Sequence, residues 1–288
     1  MPRLFGRGCP PRLWIGVCIA WTLPAAAGGQ VTDADTLRDS YRLRVPTVEQ
    51  SAGVLVAPGG ELAPGLGRAI SGDYLHLYAG GAYTRFTRYI RGDHDGVGVL
   101  GVGFGDPSRW LGLRGDLMLY STFRSGFFRR MGLTLEVSRY LVWDLLLTAG
   151  WENVVTRGTP DSGRSRYATL SRWFPLGDGQ GWFSAFALSG GAGDGRFVSE
   201  ADWLQRDTDH FNPIGSVALL VARPLMLIAS WQGDDGYVGA SIMPFPDAGL
   251  VITPGVADVT GRISTGPRFV LSAGYQLRVR FPWVEEGG

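Results

Sequence analysis

The chain has 288 residues, 45% hydrophobic and 12% aromatic, with 44 glycines, and its 27 basic residues are all arginine. The formal charge of +1 becomes −2 once the three arginines of the first 27 residues are set aside, leaving 24 bases against 26 acids, which gives no electrostatic footprint for nucleic acid. Glycine and aromatic content of this size favours turns and broad flat surfaces over packed helices, and the length suits one large β domain.

Arg3, Arg7 and Arg12 precede an apolar run from Leu13 to Leu23 and then Ala25, Ala26 and Ala27, the layout of a cleavable secretion signal over residues 1–27. That run is well short of the roughly 20 residues a spanning helix needs, and no later uncharged stretch reaches that length, so no transmembrane helix is expected. Cys9 and Cys18 both fall inside this leader, and Val17 stands before Cys18 where a lipoprotein signal wants a small residue. The mature chain is expected to start near Gly28 without disulfides, thiol chemistry or a lipid anchor. Residues 28–71, with Pro46, Pro58, Pro64 and weak periodicity, read as a flexible periplasmic lead-in with a short helix near 33–43; the other reading is a plug folded into the following domain.

From Asp73 the two-residue period dominates and predicts strands over 73–86, 96–105, 110–121, 129–140, 142–153, 164–175, 181–191, 213–222, 224–232, 236–244, 248–260 and 267–281. Most approach the roughly 9–11 residues of a membrane-spanning strand rather than the about 5–6 of a soluble sandwich. The fold expected over 72–281 is an antiparallel up-and-down transmembrane β-barrel of about 12 strands, with 10 or 14 as alternatives, and a tail over 282–288. The links alternate: 106–109, 140–141, 175–180, 223–224 and 245–248 are short, while 87–95, 122–128, 154–163 and 192–212 are long, with 233–235 the exception. Short turns on the periplasmic side would place both chain ends there. Trp110, Tyr140, Trp143, Trp173, Phe174, Trp182, Phe183, Phe245, Phe281 and Trp283 fall near that rim as an interfacial girdle, with a looser set, Phe86, Phe123, Phe127, Phe128, Trp151, Phe197 and Trp231, near the long loops.

The last strand alternates almost without fault. Phe269, Leu271, Ala273, Tyr275, Leu277, Val279 and Phe281 share one face, and Arg268, Ser272, Gln276, Arg278 and Arg280 the other. Its Ser272-x-Gly274-x-x-Leu277-x-Val279 pattern, closing on Phe281, resembles the C-terminal signal that bacterial outer-membrane β-barrel proteins present to their insertion machinery, although Pro282 to Gly288 follow where that class usually ends on the aromatic. The resemblance covers roughly 73–281. It implies a cell outer membrane location, outer-membrane lipid and the barrel-insertion machinery as partners, and no cofactor or metal. The activity it implies is that of a narrow pore or passive transporter for small polar or amphiphilic solutes; a plugged barrel stabilising the envelope, a lipid-modifying barrel enzyme and a secreted soluble glycan-binding β protein are the alternatives.

Alternation sends Leu111, Leu113, Leu117, Leu119, Met131, Leu133, Leu135 and Val137 to lipid, and His76, Arg114, Asp116, Tyr120, Thr134, Glu136, Ser138 and Asp144 to a polar interior of mixed sign. A hairpin centred on 125 sets Arg114 opposite Glu136, and one centred on 141 sets Ser138 opposite Asp144. Two roles are equally weighted for these charges: cross-strand struts, or, with Arg268, Arg278 and Arg280 facing the acids, a transverse field that orients permeating solutes. His76, between Tyr74 and Tyr78, reads as a hydrogen-bonded lumen residue, and His94 and His210 lack the serine spacing of barrel hydrolases, so no catalysis is expected. The acidic loop residues Asp93, Asp95, Asp194, Glu200, Asp202, Asp207, Asp209, Asp234 and Asp235 read as solvated charge rather than an organised metal loop. Arg91-Gly92-Asp93 is a chance tripeptide. Gly101, Gly103 and Gly105, with no helix following, read as room for a bulky neighbour such as a lumen tyrosine.

Overall fold

The computed structural model describes residues 56–57, 60–61, 74–85, 94–120, 122, 128–158, 163–176, 182–205, 207–222, 224–245, 249–263 and 266–280. The secretion signal, Phe281 and the 282–288 tail lie outside them. A two-stranded hairpin, β1 (Val56–Ala57) and β2 (Gly60–Glu61), precedes twelve long strands: β3 (Tyr74–Thr84), β4 (Asp95–Gly105), β5 (Gly112–Leu119), β6 (Met131–Tyr140), β7 (Leu146–Arg157), β8 (Ser165–Pro175), β9 (Ala185–Gly193), β10 (Asn212–Ala222), β11 (Leu225–Gln232), β12 (Asp235–Ile242), β13 (Leu250–Ala257) and β14 (Arg268–Arg280). Each pairs antiparallel with its sequence neighbour, and β14 pairs β3 from Val270↔Thr84 to Arg280↔Tyr74, so the sheet closes into a barrel. Closure leaves no unpaired edge. The β1 hairpin strand, part of the expected lead-in, approaches β3, β4 and β14 to within 8 Å between Cα atoms.

The short links gather on one rim with the start of β3 and the end of β14, and the longer links on the other, apart from the tight β11–β12 turn. At the short-turn rim Trp110, Trp143, Trp182, Phe183 and Phe245 are all more than half exposed. Between the rims, the outward parity is apolar and exposed around the wall, with Leu77, Leu100, Phe104, Leu113, Leu135, Leu147, Leu170, Leu188, Val217, Leu227, Val238, Phe269, Leu271, Leu277 and Val279. A belt of this extent far exceeds the apolar patches of soluble monomers. Leu119, on the same parity, is instead nearly covered and packs against its cross-strand partner Gly98.

Irregularities at both ends of the β6–β7 pair set its register. The β6–β7 turn is centred on 143, not 141, because Trp143 and Asp144 both take positive φ and close a 3-10 turn over Val142–Asp144. Ser138 therefore faces Thr148. Asp144, read from the sequence as lumen-lining, sits exposed in that turn, outside the interior. On the opposite rim β7 bulges between the Leu135↔Trp151 and Leu133↔Val155 pairs, where Asn153 adopts φ +56° and turns inward. Asparagine tolerates that left-handed conformation, and bulges re-aim side chains at barrel rims.

Candidate functional site

Cross-strand register arranges the inward-parity backbone positions in rows. One row runs Arg278, His76, Gly103, Arg114, Glu136, Gly150, Tyr167, Gly193. It starts near the short-turn end of β14 and β3 and finishes at the long-loop end of β9, because strand tilt converts a row perpendicular to the strands into a spiral. Arg114 stands opposite Glu136, as a hairpin centred on 125 requires. Its Nε donates to Asp116 Oδ1 at 2.9 Å and also to the Tyr78 hydroxyl, with the guanidinium 4.3 Å above the Tyr78 ring. The Tyr167 hydroxyl donates to Glu136 Oε2. Gln276 Nε2 lies 2.7 Å from His76 Nδ1, and His76 is buried.

Glycine makes these contacts possible. A Cβ on Gly101 would fall 2.0 Å from the Tyr78 ring, and one on Gly150 would fall 2.3 Å from the Tyr167 ring, so each tyrosine lies flat on the strand opposite. Tyr237 does the same over Gly239 and Gly255. The sequence reading of Gly101 as room for a lumen tyrosine describes Tyr78, while Gly103 faces His76 and Arg114 in the ionic row, and Gly105, at φ +95°, ends its strand against the Leu111 carbonyl.

Two further rows carry hydroxyls. Ser138, Thr148 and Thr169 face one another in sequence, as do Ser171, Ser189, Ser216 and Ser230. Ser138, Thr148, Thr169 and Ser216 are buried, and their hydroxyls have no hydrogen-bond partner among the described residues. The interior is not polar throughout, which corrects the sequence expectation. Val97, Val99 and Met118 on β4 and β5 join Ala185, Ala187, Ala218, Leu220, Met226, Ile228, Met243, Val251 and Val270 in one apolar cluster of inward side chains. Uncharged inward residues on β9–β13 look unremarkable in the sequence because small and aliphatic residues also suit a lipid face; only register assigns them. The lumen thus carries an ionic row, two hydroxyl rows and an apolar cluster that spans several rows.

At the long-loop rim the chain turns inward. After β9, a 3-10 turn over Gly195–Phe197 is buried inside the mouth, and a short helix α1 (Glu200–Gln205) with no buried residue follows it. Arg196, only 6% exposed, donates Nε to Glu152 Oε2 at 2.7 Å and Nη2 to Glu152 Oε1 at 3.0 Å, while Nη1 reaches Gln232 Oε1 at 2.5 Å. Its backbone N–H donates to Ser165 Oγ at 2.9 Å. Phe197, read as part of the outer aromatic set, is fully buried and packs edge-on against Tyr167 at 5.7 Å. Gly233 in the β11–β12 turn is required there, since a Cβ would stand 2.3 Å from the Phe197 carbonyl oxygen. Ser199 caps α1: its hydroxyl lies 2.6 Å from Asp202 Oδ2 and accepts the Asp202 N–H, which holds that carboxyl below its ordinary 3.8. His210 lies 3.2 Å from Asp202 and 3.5 Å from Asp207. Arg196, Glu152 and Gln232, none singled out from the sequence, thus pin a loop inside the mouth.

A second buried group stands on the same rim. Arg268 Nη2 pairs with Asp235, which also accepts the Asp258 N–H; Asp258 in turn accepts the N–H groups of Arg262 and Ile263. Burial raises the Asp258 carboxyl above its ordinary 3.8, against the lowering by those two donors. Tyr120 is buried and donates to Asn153 Oδ1 at 2.9 Å. Ser272 and Gly274 face inward and Leu277 and Val279 outward, whereas the Arg278 and Arg280 side chains and Phe281 lie outside the described residues.

No protein-family description matches the chain, and no curated protein matches it by sequence. By fold it is similar to an outer membrane channel from Pseudomonas putida F1, at 15% identity and a TM-score of 0.43 over 78% of this chain and 100% of that one. It is also similar to the outer membrane protein Omp33 of Acinetobacter baumannii, at 10% identity and a TM-score of 0.40 over 73% of this chain and 100% of that one. Likenesses this distant carry no argument about activity.

Proposed function

We propose that this chain is an outer-membrane β-barrel forming a narrow passive channel for small amphiphilic or polar solutes, shut at its outer mouth by the 194–205 segment. The observation that carries the reading is the sorting of the wall: an apolar belt outside, and inside it rows of polar side chains beside an apolar cluster. A solute with a polar head and a short apolar body finds partners for both along such a surface, whereas a wide aqueous bore would need no apolar lining. Arg196 is the latch. Removing one partner of a buried, bidentate ion pair leaves the other charge stranded and costs about 3–5 kcal/mol, enough to release a short loop.

Planar-bilayer recording of the refolded protein tests this. Wild type is expected to open rarely, and Arg196→Gln or Glu152→Gln to conduct more often and at higher unit conductance. Silence from all three, with each barrel folded and heat-modifiable, favours a plugged envelope barrel, a reading supported by the burial of inward side chains such as Tyr78, Arg114, Glu136 and Tyr167. Recovery of the mature chain in the soluble fraction after outer membranes are pelleted would end the membrane reading altogether.

A further inference from the structure

The long-loop rim is electrically lopsided. Over β9–β12 its side chains are acidic: Glu200, Asp202, Asp207, Asp209 and Asp234. Over β6–β8 they are basic. Arg129 precedes β6, Arg157 ends β7, and Arg164 and Arg166 stand at the start of β8, all four exposed and all on the outward parity of the wall. Register holds them together: Met131 pairs Arg157, and Trp151 pairs Arg166. Gly158, at φ +75°, lets the two stretches touch, for a Cβ there would lie 2.7 Å from the Arg129 carbonyl oxygen. The described acids of this sector are already committed, Glu152 to Arg196 inside the mouth and Asp194 to Arg166 at 2.6 Å. Arg129, Arg157 and Arg164 form no ion pair among the described residues. On the outer wall Val155 lies two residues down β7 from Arg157, and Trp151 and Leu135 follow on the same parity toward mid-wall, all three exposed.

A cationic crescent set immediately above an apolar wall matches an amphiphile with an anionic head and hydrocarbon tails. Arginine suits phosphate in particular, because its planar fork meets phosphate oxygens in pairs and is weakly hydrated. We propose that Arg129, Arg157 and Arg164 bind the phosphate groups of a phosphorylated glycolipid of the lipid A class in the outer leaflet, with its acyl chains on Trp151, Val155 and Leu135. This rests on the outer-membrane reading above, with the long loops facing outward. The wall geometry commits the site to a lipid rather than a free anion: the same side chains that receive the head stand over hydrocarbon.

The test is native mass spectrometry and titration of the refolded, detergent-solubilised protein with bisphosphorylated lipid A, fully dephosphorylated lipid A and inorganic phosphate. Near an anionic surface each arginine contributes about fivefold in affinity, so Arg157→Gln/Arg164→Gln is expected to weaken lipid A binding roughly 30-fold. Arg109→Gln, at the opposite rim, is expected to leave it unchanged. Dephosphorylated lipid A should bind wild type no better than it binds the double variant. The proposal is overturned by phosphate-independent binding, by an equal loss in Arg109→Gln, or by complete displacement with millimolar inorganic phosphate. A barrel that inserts and conducts yet ignores the lipid phosphates loses the crescent alone; one that never inserts loses the outer-membrane reading.

Discussion

At the scale of single residues, the lumen is built by pairing a large side chain with a missing one. Tyr167 rests on Gly150 and thereby brings its hydroxyl to Glu136, so the glycine positions a polar contact it does not make. Gly150→Val would drive a branched side chain into that ring, and overpacking of this kind costs about 1–3 kcal/mol. A lower denaturation midpoint, read by loss of the heat-modifiable band, is expected for it. Gly190→Ala serves as the contrast, because nothing lies within 4 Å of the added carbon, and should unfold like wild type. Equal midpoints for the two would show that the tyrosine stacking is incidental.

At the scale of elements, the bulge in β7 organises the mouth. Asn153 leaves the ladder, takes positive φ, donates to the Gly163 carbonyl and accepts from Tyr120, joining β5, β7 and the β7–β8 link. Asn153→Leu keeps the number and branching of side-chain heavy atoms but removes the acceptor of the buried Tyr120 hydroxyl and the donor to Gly163, at about 1–3 kcal/mol for the buried group, in a conformation leucine resists. Limited proteolysis should then cut first in the 158–164 link, while links of the short-turn rim stay intact; uniform resistance would remove the bulge from this role. The 194–205 segment is an element of the same kind. Its Arg196 anchor holds only while Glu152, beside the bulge, points inward, so the bulge and the latch are expected to fail together.

At the scale of the whole molecule, the closed wall separates two environments, and the separation has a measurable cost of violation. An arginine at mid-wall on the lipid side costs about 2–4 kcal/mol, falling to about 0–1 near the rims. Leu188→Arg, in the middle of β9, is therefore expected to reduce folding into vesicles sharply, and Val155→Arg, near the long-loop rim, to be tolerated. Indistinguishable folding yields would argue that the outward leucines do not meet hydrocarbon.

The strand number, the antiparallel order and the parity of long and short links were all legible in the chain, because each follows from local alternation and from a requirement that every strand face two fixed environments. The Arg114 and Glu136 register followed from one correctly centred hairpin. It failed at Asp144, where positive φ at Trp143 and Asp144 moved the turn by two residues, a choice of backbone conformation that periodicity does not encode. Tertiary structure alone decided which small and aliphatic residues of β9–β13 look inward, and which loop is bonded inside the long-loop rim. Arg196, Glu152 and Gln232 come from three separate parts of the chain, and nothing in the spacing of any one of them marks it. Alternation is a property of neighbours along a strand, while a latch exists only once the barrel has closed and brought distant strands to a common rim.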